Sequence, residues 1–147
     1  MPDTQPLANN TDLGEDTGKA PLSSMSPPIP HTAPFHLQAT AHLYGIKSAA
    51  PEKARVLEIG CKDGGNLLPF ALANPQAQAV GVDLDAEQIE KGNGLIKQLE
   101  LENIALFALD LESLLACDPG TFDYIIIHGL FSLIGGETRD ALHAILP

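Results

Sequence analysis

The chain has 147 residues, of which 44% are hydrophobic, and its formal net charge at pH 7 is −11. This length and hydrophobic content predict one modest globular domain with a core of its own. Binding to a nucleic-acid backbone or to an anionic membrane surface needs clustered cations, and the sequence has no Lys/Arg cluster. The composition therefore argues against both kinds of partner.

The sequence also lacks the patterns of a secreted, membrane or metal-binding protein. Its two cysteines, Cys61 and Cys117, are too few for a disulfide framework or a zinc site. No apolar stretch is long enough to cross a bilayer, and no basic segment followed by an apolar run marks a signal peptide. We therefore expect reduced thiols, no metal and a cytoplasmic location.

The predicted elements begin after a tail. Residues 1–30 are rich in Pro, Ser, Thr, Asn and Asp and poor in large apolar groups, which predicts disorder. The folded domain is then residues 31–147. Its first predicted helix covers 34–44, because Pro34 suits a first helical turn and Gly45 suits a helix end. The apolar contacts of this helix are expected from Phe35, Leu37, Ala41 and Leu43.

From residue 55 onward, predicted strands alternate with predicted helices. The alternation is typical of a parallel sheet with helices on both faces. A nearly continuous apolar run in the fourth strand predicts that this strand is buried on both sides. The strands cover about 55–59, 78–83, 104–109 and 122–128, and the helices cover 65–73, 86–100, 111–116 and 137–146.

Single residues predict two details of the helix at 86–100. Asp85 followed by Gln88 indicates an N-cap with a variant of the capping box. Gly92 and Gly94 weaken the middle of the helix by about 1 kcal/mol each, and close packing on the sheet is the interpretation considered for them.

A glycine-rich turn follows the first strand. Gly60 permits a tight turn, and Gly64 and Gly65 let the backbone approach a ligand and let the next helix pack on the sheet. Backbone N–H groups and a helix N-terminus then lie at the carboxyl end of a strand, where open α/β sheets bind ligands. Glu58, just before the turn, indicates a ligand that carries positive charge.

Two further acids lie at the ends of the next strands. Asp83 ends the second strand, where an acid can accept hydrogen bonds from both ribose hydroxyls of a nucleoside. Asp110 follows the third strand and is placed to meet an adenine amino group. Each acid alone would more simply cap the following helix, but three acids in register with a glycine turn favour a nucleoside site.

At these residues the sequence resembles the Rossmann-like, class I S-adenosylmethionine-dependent methyltransferases over about residues 31–147. The similar motifs are Val56-Leu57-Glu58-Ile59-Gly60-Cys61, Gly81-Val82-Asp83-Leu84-Asp85, Leu109-Asp110-Leu111 and Phe122-Asp123-Tyr124-Ile125-Ile126. A closer resemblance is to a bacterial branch of methyltransferases with a regulatory domain, which includes protein lysine methyltransferases. It is carried by Gly64-Gly65-Asn66-Leu67-Leu68-Pro69, His128-Gly129-Leu130-Phe131-Ser132 and Leu43-Tyr44-Gly45.

The resemblance implies a three-layer sandwich, S-adenosylmethionine as the cofactor, and methyl transfer to an acceptor that the sequence does not identify, with protein lysine as one candidate. In this family Glu58 would meet the methionine ammonium, Asp83 the ribose and Asp110 the adenine. His128 is the candidate general base, with a structural or cofactor-wall role as the alternative. Cys61 has no paired base, which favours a small turn residue over a nucleophile. The implied cofactor contacts are Glu58, Gly60, Cys61, Gly64, Asn66, Asp83, Leu84, Asp110, Leu111 and His128.

The sequence departs from the family at three points. Lys62 stands where relatives carry a small residue, and it could crowd the site, repel the sulfonium or point into solvent. Leu133 stands where the closer branch tends to have Trp. The family sheet has the strand order 3-2-1-4-5-7-6, but only strands 3-2-1-4 are expected here. We therefore expect a fragment, or a chain whose exposed fourth strand is covered by self-association or by a partner.

Two other functions are considered. A nicotinamide oxidoreductase would share the glycine turn and the acid after the second strand. However, Gly60-Cys61-Lys62-Asp63-Gly64-Gly65 does not fit its G-x-G-x-x-G fingerprint. A truncated or inactive methyltransferase-like module would bind cofactor or protein without turnover.

Overall fold

The computed structural model of the chain describes residues 25–129, 135–143 and 145. The predicted tail at 1–24 and the motif residues Leu130, Phe131, Ser132 and Leu133 lie outside the described residues. Each predicted strand and helix is present, with ends that differ by a few residues. The strands are β1 (Arg55–Ile59), β2 (Gln78–Asp83), β3 (Ile104–Ala108) and β4 (Tyr124–Ile127). The helices are α1 (Pro34–Leu43), α2 (Leu67–Ala73), α3 (Ala86–Gln98), α4 (Leu111–Ala116) and α5 (Gly136–His143).

The four described strands form one parallel sheet in the order β3-β2-β1-β4. This confirms the predicted Rossmann-like α/β class and strand order. Ile59 lies opposite both Val82 and Ile127, and Asp83 lies opposite Ala108. The carboxyl ends of the strands therefore meet at one edge of the sheet, which is where ligands bind in such folds.

Helices cover both faces of the sheet. Val56 belongs to the apolar cluster on the α2 and α3 side, whereas Leu57 and Ile59 belong to the cluster with α4 and α5. Because successive residues of a strand point to opposite faces, Glu58 follows Val56 onto the α2 side. This alternation decides which motif side chains can reach the site described below.

Strand β4 lies at the edge of the described sheet and is buried on one face only. Tyr124 and Ile126 are buried on the α2 side, whereas Ile125 and Ile127 are half-buried on the side of α4 and α5. The prediction of a strand buried on both sides is therefore wrong, because the second face of β4 is covered incompletely within the described residues.

The segment before α1 differs from its prediction. Residues 25–30 were placed in the disordered tail, yet Met25 packs against the α2-side core and Pro30–Thr32 forms a turn of 3-10 helix. The backbone N–H groups of Ser26 and Ile29 donate to side chains of the β1–α2 turn. A proline-rich composition describes this segment's lack of regular structure but not its long-range contacts.

Helix α1 also buries less than predicted. Leu37 packs against the core, whereas Phe35 is 45% exposed and Leu43 is 86% exposed. At 100° per residue, positions 35 and 43 lie on the opposite side of the helix from positions 37 and 41, so the four cannot share one buried face.

Helix α3 begins as predicted at Asp85, whose Oδ1 accepts the N–H groups of Glu87 and Gln88. In a complete capping box the Gln88 side chain would accept a hydrogen bond from the Asp85 N–H. Here the Asp85 N–H donates to Asp83 Oδ1 instead. The structure also explains Gly92, where an added Cβ would lie 2.5 Å from the backbone oxygen of Asp63. Nothing in the structure explains Gly94.

Within the described part of the chain, no helix is both long enough and apolar enough to span a bilayer.

Candidate cofactor site

A cavity of about 390 Å³ lies at the carboxyl edge of the sheet. This volume is within the usual range for small-molecule sites. Each of the four strands contributes at its carboxyl end or just beyond it. The lining residues are Ile59, Gly60, Lys62, Val82, Asp83, Leu84, Leu109, Asp110, Leu111 and His128.

The turn after β1 forms one wall of the cavity. Gly60 has a φ of +79°, a left-handed conformation that favours glycine. The N–H groups of Gly60 and Cys61 both donate to the Val82 carbonyl, at 2.8 and 3.2 Å. These bonds carry the chain over the end of β2 and bring the turn beside Asp83.

Asp83 is held by backbone donors at both carboxylate oxygens. Its Oδ2 accepts the N–H of Lys62 at 2.8 Å, and its Oδ1 accepts the N–H of Asp85 at 3.0 Å. Each carboxylate oxygen can accept more than one hydrogen bond, so both keep acceptor capacity toward the cavity. Asp85 rather than Asp83 caps α3, so the simple capping interpretation does not hold for Asp83.

Asp110 does cap the following helix. Its Oδ1 accepts the Ser113 N–H at 2.6 Å at the start of α4. This hydrogen bond holds the pKa of the Asp110 carboxyl below its usual range. Asp110 also lines the cavity, so the capping and ligand-facing interpretations apply to it together.

Lys62 lies on the cavity wall with an exposed side chain. Its φ of +52° is a left-handed conformation, which costs a side-chain-bearing residue free energy and favours glycine. The backbone at this position therefore suits the small residue expected from the family.

Glu58 lies beneath the turn, on the α2 side of the sheet, and does not line the cavity. Its side chain is 4% exposed, and Oε1 accepts a hydrogen bond from Asn66 Nδ2 at 2.9 Å. Within the described residues, Oε2 is buried without a hydrogen-bond partner. Burial raises the pKa of Glu58 from 4.5 to about 7, and the hydrogen bond from Asn66 opposes that rise.

Cys61 and Gly64 face the core on the α2 side. A Cβ added at Gly81 would lie 2.6 Å from Cys61 Sγ, so the thiol fills space that only a glycine leaves open. Burial, followed by the charges of Glu58 and Asp83, raises the pKa of the Cys61 thiol. Cys61 is therefore a neutral, inert thiol. Gly64 has a φ of +77° and donates its N–H to the Cys61 carbonyl.

His128 follows β4 on the far wall of the cavity and is exposed. Its ring centroid lies 5.3 Å from that of His31, with the two rings tilted by 60°. His31 comes from the segment before α1, so this segment contacts a residue of the cavity lining. No sequence pattern indicated that pairing.

The structure thus divides the predicted contact residues into two groups. Those at the cavity are Gly60, Asp83, Leu84, Asp110, Leu111 and His128. Those outside its lining are Glu58, Cys61, Gly64 and Asn66. Sequence reasoning missed Ile59, Val82 and Leu109 as apolar walls, although strand alternation places Ile59 and Val82 on the same face.

The sheet order and the cavity at the ends of its strands are those of a class I, S-adenosylmethionine-dependent methyltransferase. Comparison with known proteins supplies the family. The chain belongs to the methyltransferase-domain family, whose model matches residues 57–146. This assignment removes the nicotinamide oxidoreductase alternative.

The chain is similar to two curated proteins of Rickettsia prowazekii, the uncharacterized proteins RP789 and RP028. Identity is 39% over 115 residues with RP789 and 40% over 118 residues with RP028. The matches cover 78% and 79% of this chain but 21% and 46% of the relatives. The chain therefore spans less than half the length of these proteins.

Solved structures give the same assignment. PKMT2 from Rickettsia typhi, in complex with AdoHcy, matches with a TM-score of 0.75 at 36% identity, over 84% of this chain and 24% of that chain. The plantazolicin methyltransferase BpumL, in complex with SAH, matches with a TM-score of 0.59 at 21% identity, over 79% of this chain and 42% of that chain. At that identity the second match shows the fold alone.

Proposed function

We propose that this chain is the cofactor-binding part of a methyltransferase that uses S-adenosylmethionine and methylates a protein lysine. The cavity lined by Asp83 and Asp110 carries the nucleoside assignment. The amine of the cofactor is assigned to Glu58 Oε2, a buried carboxylate oxygen beneath the turn that forms one cavity wall, without a partner in the described residues. A buried polar atom of this kind is costly unless a ligand completes it. The amine of a methionine moiety supplies the missing donor and a matching charge.

The remaining site residues fit the nucleoside part of the cofactor. Asp83 keeps acceptor capacity for ribose hydroxyls, and Asp110 lies on the rim where an amino group can donate to it. Leu84, Leu109 and Leu111 provide apolar surface for a planar base. Apart from Lys62, the cavity lining is acidic, neutral and apolar, which suits a cationic nucleoside better than a nucleotide with phosphates.

The bound cofactor would supply an electrophilic methyl group on a sulfonium centre. The chain's own contribution is mainly to hold donor and acceptor in line, a proximity effect. A lysine acceptor must be neutral before it attacks, so a nearby base is useful. His128 is the residue at the cavity whose imidazole could take that proton.

Protein lysine is proposed as the acceptor on the resemblance to the bacterial branch described above. The exposed edge of β4 is the proposed site of self-association, because an unpaired edge can pair with another strand. A cytoplasmic location is supported by two unpaired cysteines, of which Cys117 is exposed. Size-exclusion chromatography with light scattering tests the self-association, and a monomer at all concentrations would contradict it.

Calorimetric titration of S-adenosylhomocysteine into the 147-residue chain tests the proposed function. We expect saturable binding that is lost in Asp83→Ala. The matched control is Asp85→Ala, which removes an acid on the same loop and the cap of α3, at a stability cost of about 1 kcal/mol, but no cavity wall. Absence of binding by the folded wild-type chain, or equal loss in both variants, would refute the assignment.

Transfer is tested separately with radiolabelled S-adenosylmethionine and a lysine-containing protein as acceptor. Incorporation of label that is lost with Asp83→Ala supports an active enzyme. Binding of S-adenosylhomocysteine without any transfer by the 147-residue chain would favour the inactive-module alternative.

A further inference from the structure

Asn66 joins three parts of the molecule through one side-chain amide. Its Nδ2 donates to Glu58 Oε1 at 2.9 Å and to Thr32 Oγ1 at 3.0 Å, and its Oδ1 accepts the Ile29 N–H at 3.0 Å. An amide has two donor hydrogens and one acceptor oxygen, and all three are used here. Although Asn66 stands at the N-cap position of α2, its side chain makes no capping hydrogen bond.

Two of those bonds attach residues 25–32, which we call the strap. The Thr32 hydroxyl in turn donates to the Ile29 carbonyl at 2.9 Å, so the strap presents a closed turn to Asn66. Ser26 anchors its other end, because its N–H lies 3.1 Å from both carboxylate oxygens of Asp63. Asp63 is itself buried and paired with Lys91 at 3.0 Å.

The strap lies directly on the glycine turn. A Cβ added at Gly65 would lie 1.8 Å from the Ser26 carbonyl oxygen, so glycine is required for this approach. His31 of the strap contacts His128, which lines the cavity. The strap therefore spans from Asp63 to the cavity mouth and passes over Asn66 on the way.

Other charged or titratable groups also surround Glu58, and they decide what a change at Asn66 can reveal. Cys61 is a neutral thiol, and Asp83 is tied to backbone donors. Burial alone would raise the pKa of Asp63, but its bonds with Lys91 and Ser26 hold that pKa below its usual value. His31 and His128 face the site from the strap and from β4.

We propose that Asn66 is a positioning residue that couples docking of the strap to the orientation of Glu58, so that the free Oε2 faces the amine of the cofactor. The inference rests on the proposed cofactor function and adds a residue and a segment to it. Without the strap, Asn66 would lose its two partners in residues 25–32, and its Nδ2 would no longer be fixed against Glu58.

The coupling has a measurable proton balance. In the ligand-free protein Glu58 is largely protonated below about pH 7. It must ionise in order to pair with the ammonium of the ligand. Binding therefore releases the carboxyl proton to solvent while the ammonium keeps its own. At about pH 6 roughly nine-tenths of a proton is released for each bound ligand, and this share falls as pH rises.

The experiment compares wild type with Asn66→Leu, which keeps the side-chain shape but removes all three hydrogen bonds. S-adenosylhomocysteine is titrated between about pH 5.5 and 7.5 in two buffers that differ in ionisation enthalpy, so that affinity and proton release are both measured. The matched control is Asn103→Leu. It removes hydrogen bonds to the Ala71, Asn74 and Ala77 carbonyls, away from the cavity.

Loss of the Asn66 donor raises the pKa of Glu58 further. If that rise is one unit, the affinity ratio between wild type and Asn66→Leu is about tenfold near pH 5.5 and about threefold near pH 7.5. The affinity of Asn103→Leu should stay at the wild-type value across the range. A pH-independent loss of affinity in Asn66→Leu, or unchanged binding, would overturn the inference.

Thr32→Val separates the strap from Glu58, because it removes the strap hydroxyl and leaves Asn66 and its bond to Glu58 possible. We expect Thr32→Val to lose less affinity than Asn66→Leu, with the same dependence on pH. If Asn66→Leu fails to fold, Thr32→Val tests the coupling by itself. An affinity and pH profile identical to wild type would refute the coupling. If wild type binds no S-adenosylhomocysteine at any pH, the proposed function fails instead, so the two failures are distinguishable.

Discussion

Replacing Glu58 by Gln should stabilise the ligand-free chain while it abolishes cofactor binding. Glu58 is 4% exposed and carries one oxygen that has no partner within the described residues. Gln has the same shape and keeps an oxygen that can accept the Asn66 hydrogen bond, but it cannot ionise. The substitution therefore removes the ionisable group and places an amide nitrogen at the position of Oε2.

The size of the effect follows from the two protonation equilibria. Below pH 4.5 the Glu58 carboxyl is protonated in both states and contributes nothing. As pH rises toward 7 the unfolded chain ionises first, so the native state binds more protons and the free energy of unfolding falls. A pKa raised from 4.5 to about 7 corresponds to about 3 kcal/mol of stability, lost by pH 8.

Urea unfolding followed by circular dichroism measures this difference at several pH values. We expect the free energy of unfolding of Glu58→Gln minus that of wild type to grow by about 3 kcal/mol between about pH 4 and 8. Glu90→Gln, at an exposed position of α3, is the matched control and should give a flat difference.

Glu58→Gln should weaken ligand binding although it stabilises the ligand-free chain. S-adenosylhomocysteine binding at pH 7.5 should be lost in Glu58→Gln and kept in Glu90→Gln. A stability difference that stays flat with pH would show that Glu58 is not a buried, strained carboxylate. Wild-type affinity in Glu58→Gln would show that its charge does not meet the amine.

Three further predictions concern the turn and the core. Gly92→Ala should destabilise the fold because the added methyl meets the Asp63 backbone. Gly94→Ala has open space around the added methyl and should stabilise the fold by about 1 kcal/mol. Equal melting temperatures for the two variants would contradict this. Lys62→Gly should relieve a left-handed lysine and stabilise the chain by about 1 kcal/mol. It should also shift the ratio of dissociation constants in favour of S-adenosylmethionine over S-adenosylhomocysteine, whose sulfur carries no charge; an unchanged ratio would show that the Lys62 ammonium does not sense the sulfonium. Asn103→Ala should cost about 1–3 kcal/mol, because it removes the side-chain donor shared by the Ala71, Asn74 and Ala77 carbonyls, of which the first two keep a backbone N–H donor; urea unfolding tests it.

Local chemistry was enough to predict the elements that build the site. The strands were recognisable because β-branched and leucine residues cluster in short runs between turn residues. Asp85 was recognisable as an N-cap because a short acidic side chain before a helix has few other roles. The sheet order needed the family resemblance, since no local pattern tells which strand pairs with which.

Side-chain direction explains which of the predicted contact residues line the cavity and which do not. Glu58 and Ile59 are neighbours in the motif, but strand alternation turns them to opposite faces. The cavity is on the Ile59 side, so membership of a motif did not ensure a place in its lining. Cys61 and Gly64 are in the motif because they pack the turn against the core.

The strap could not be predicted for a different reason. Its contacts join Ser26 to Asp63 and Ile29 to Asn66, and both use backbone N–H groups that every residue except proline carries. Composition predicts that such a segment forms no helix or strand, but it does not predict where those donors bond.

The carboxylates of this site differ in one respect that explains why Glu58 should govern its pH dependence. Asp83 accepts two backbone N–H groups, Asp110 accepts one, and Asp63 is paired with Lys91 as well as with Ser26. The donors to Asp110 and Asp63 hold the pKa of these two carboxyls below its usual value, so both enter binding already charged. Within the described part of the chain, Glu58 alone among these four combines burial with an oxygen that has no hydrogen-bond partner. A cationic ligand therefore gains the most binding free energy from its contact with Glu58. The proton released on binding should come from the Glu58 carboxyl.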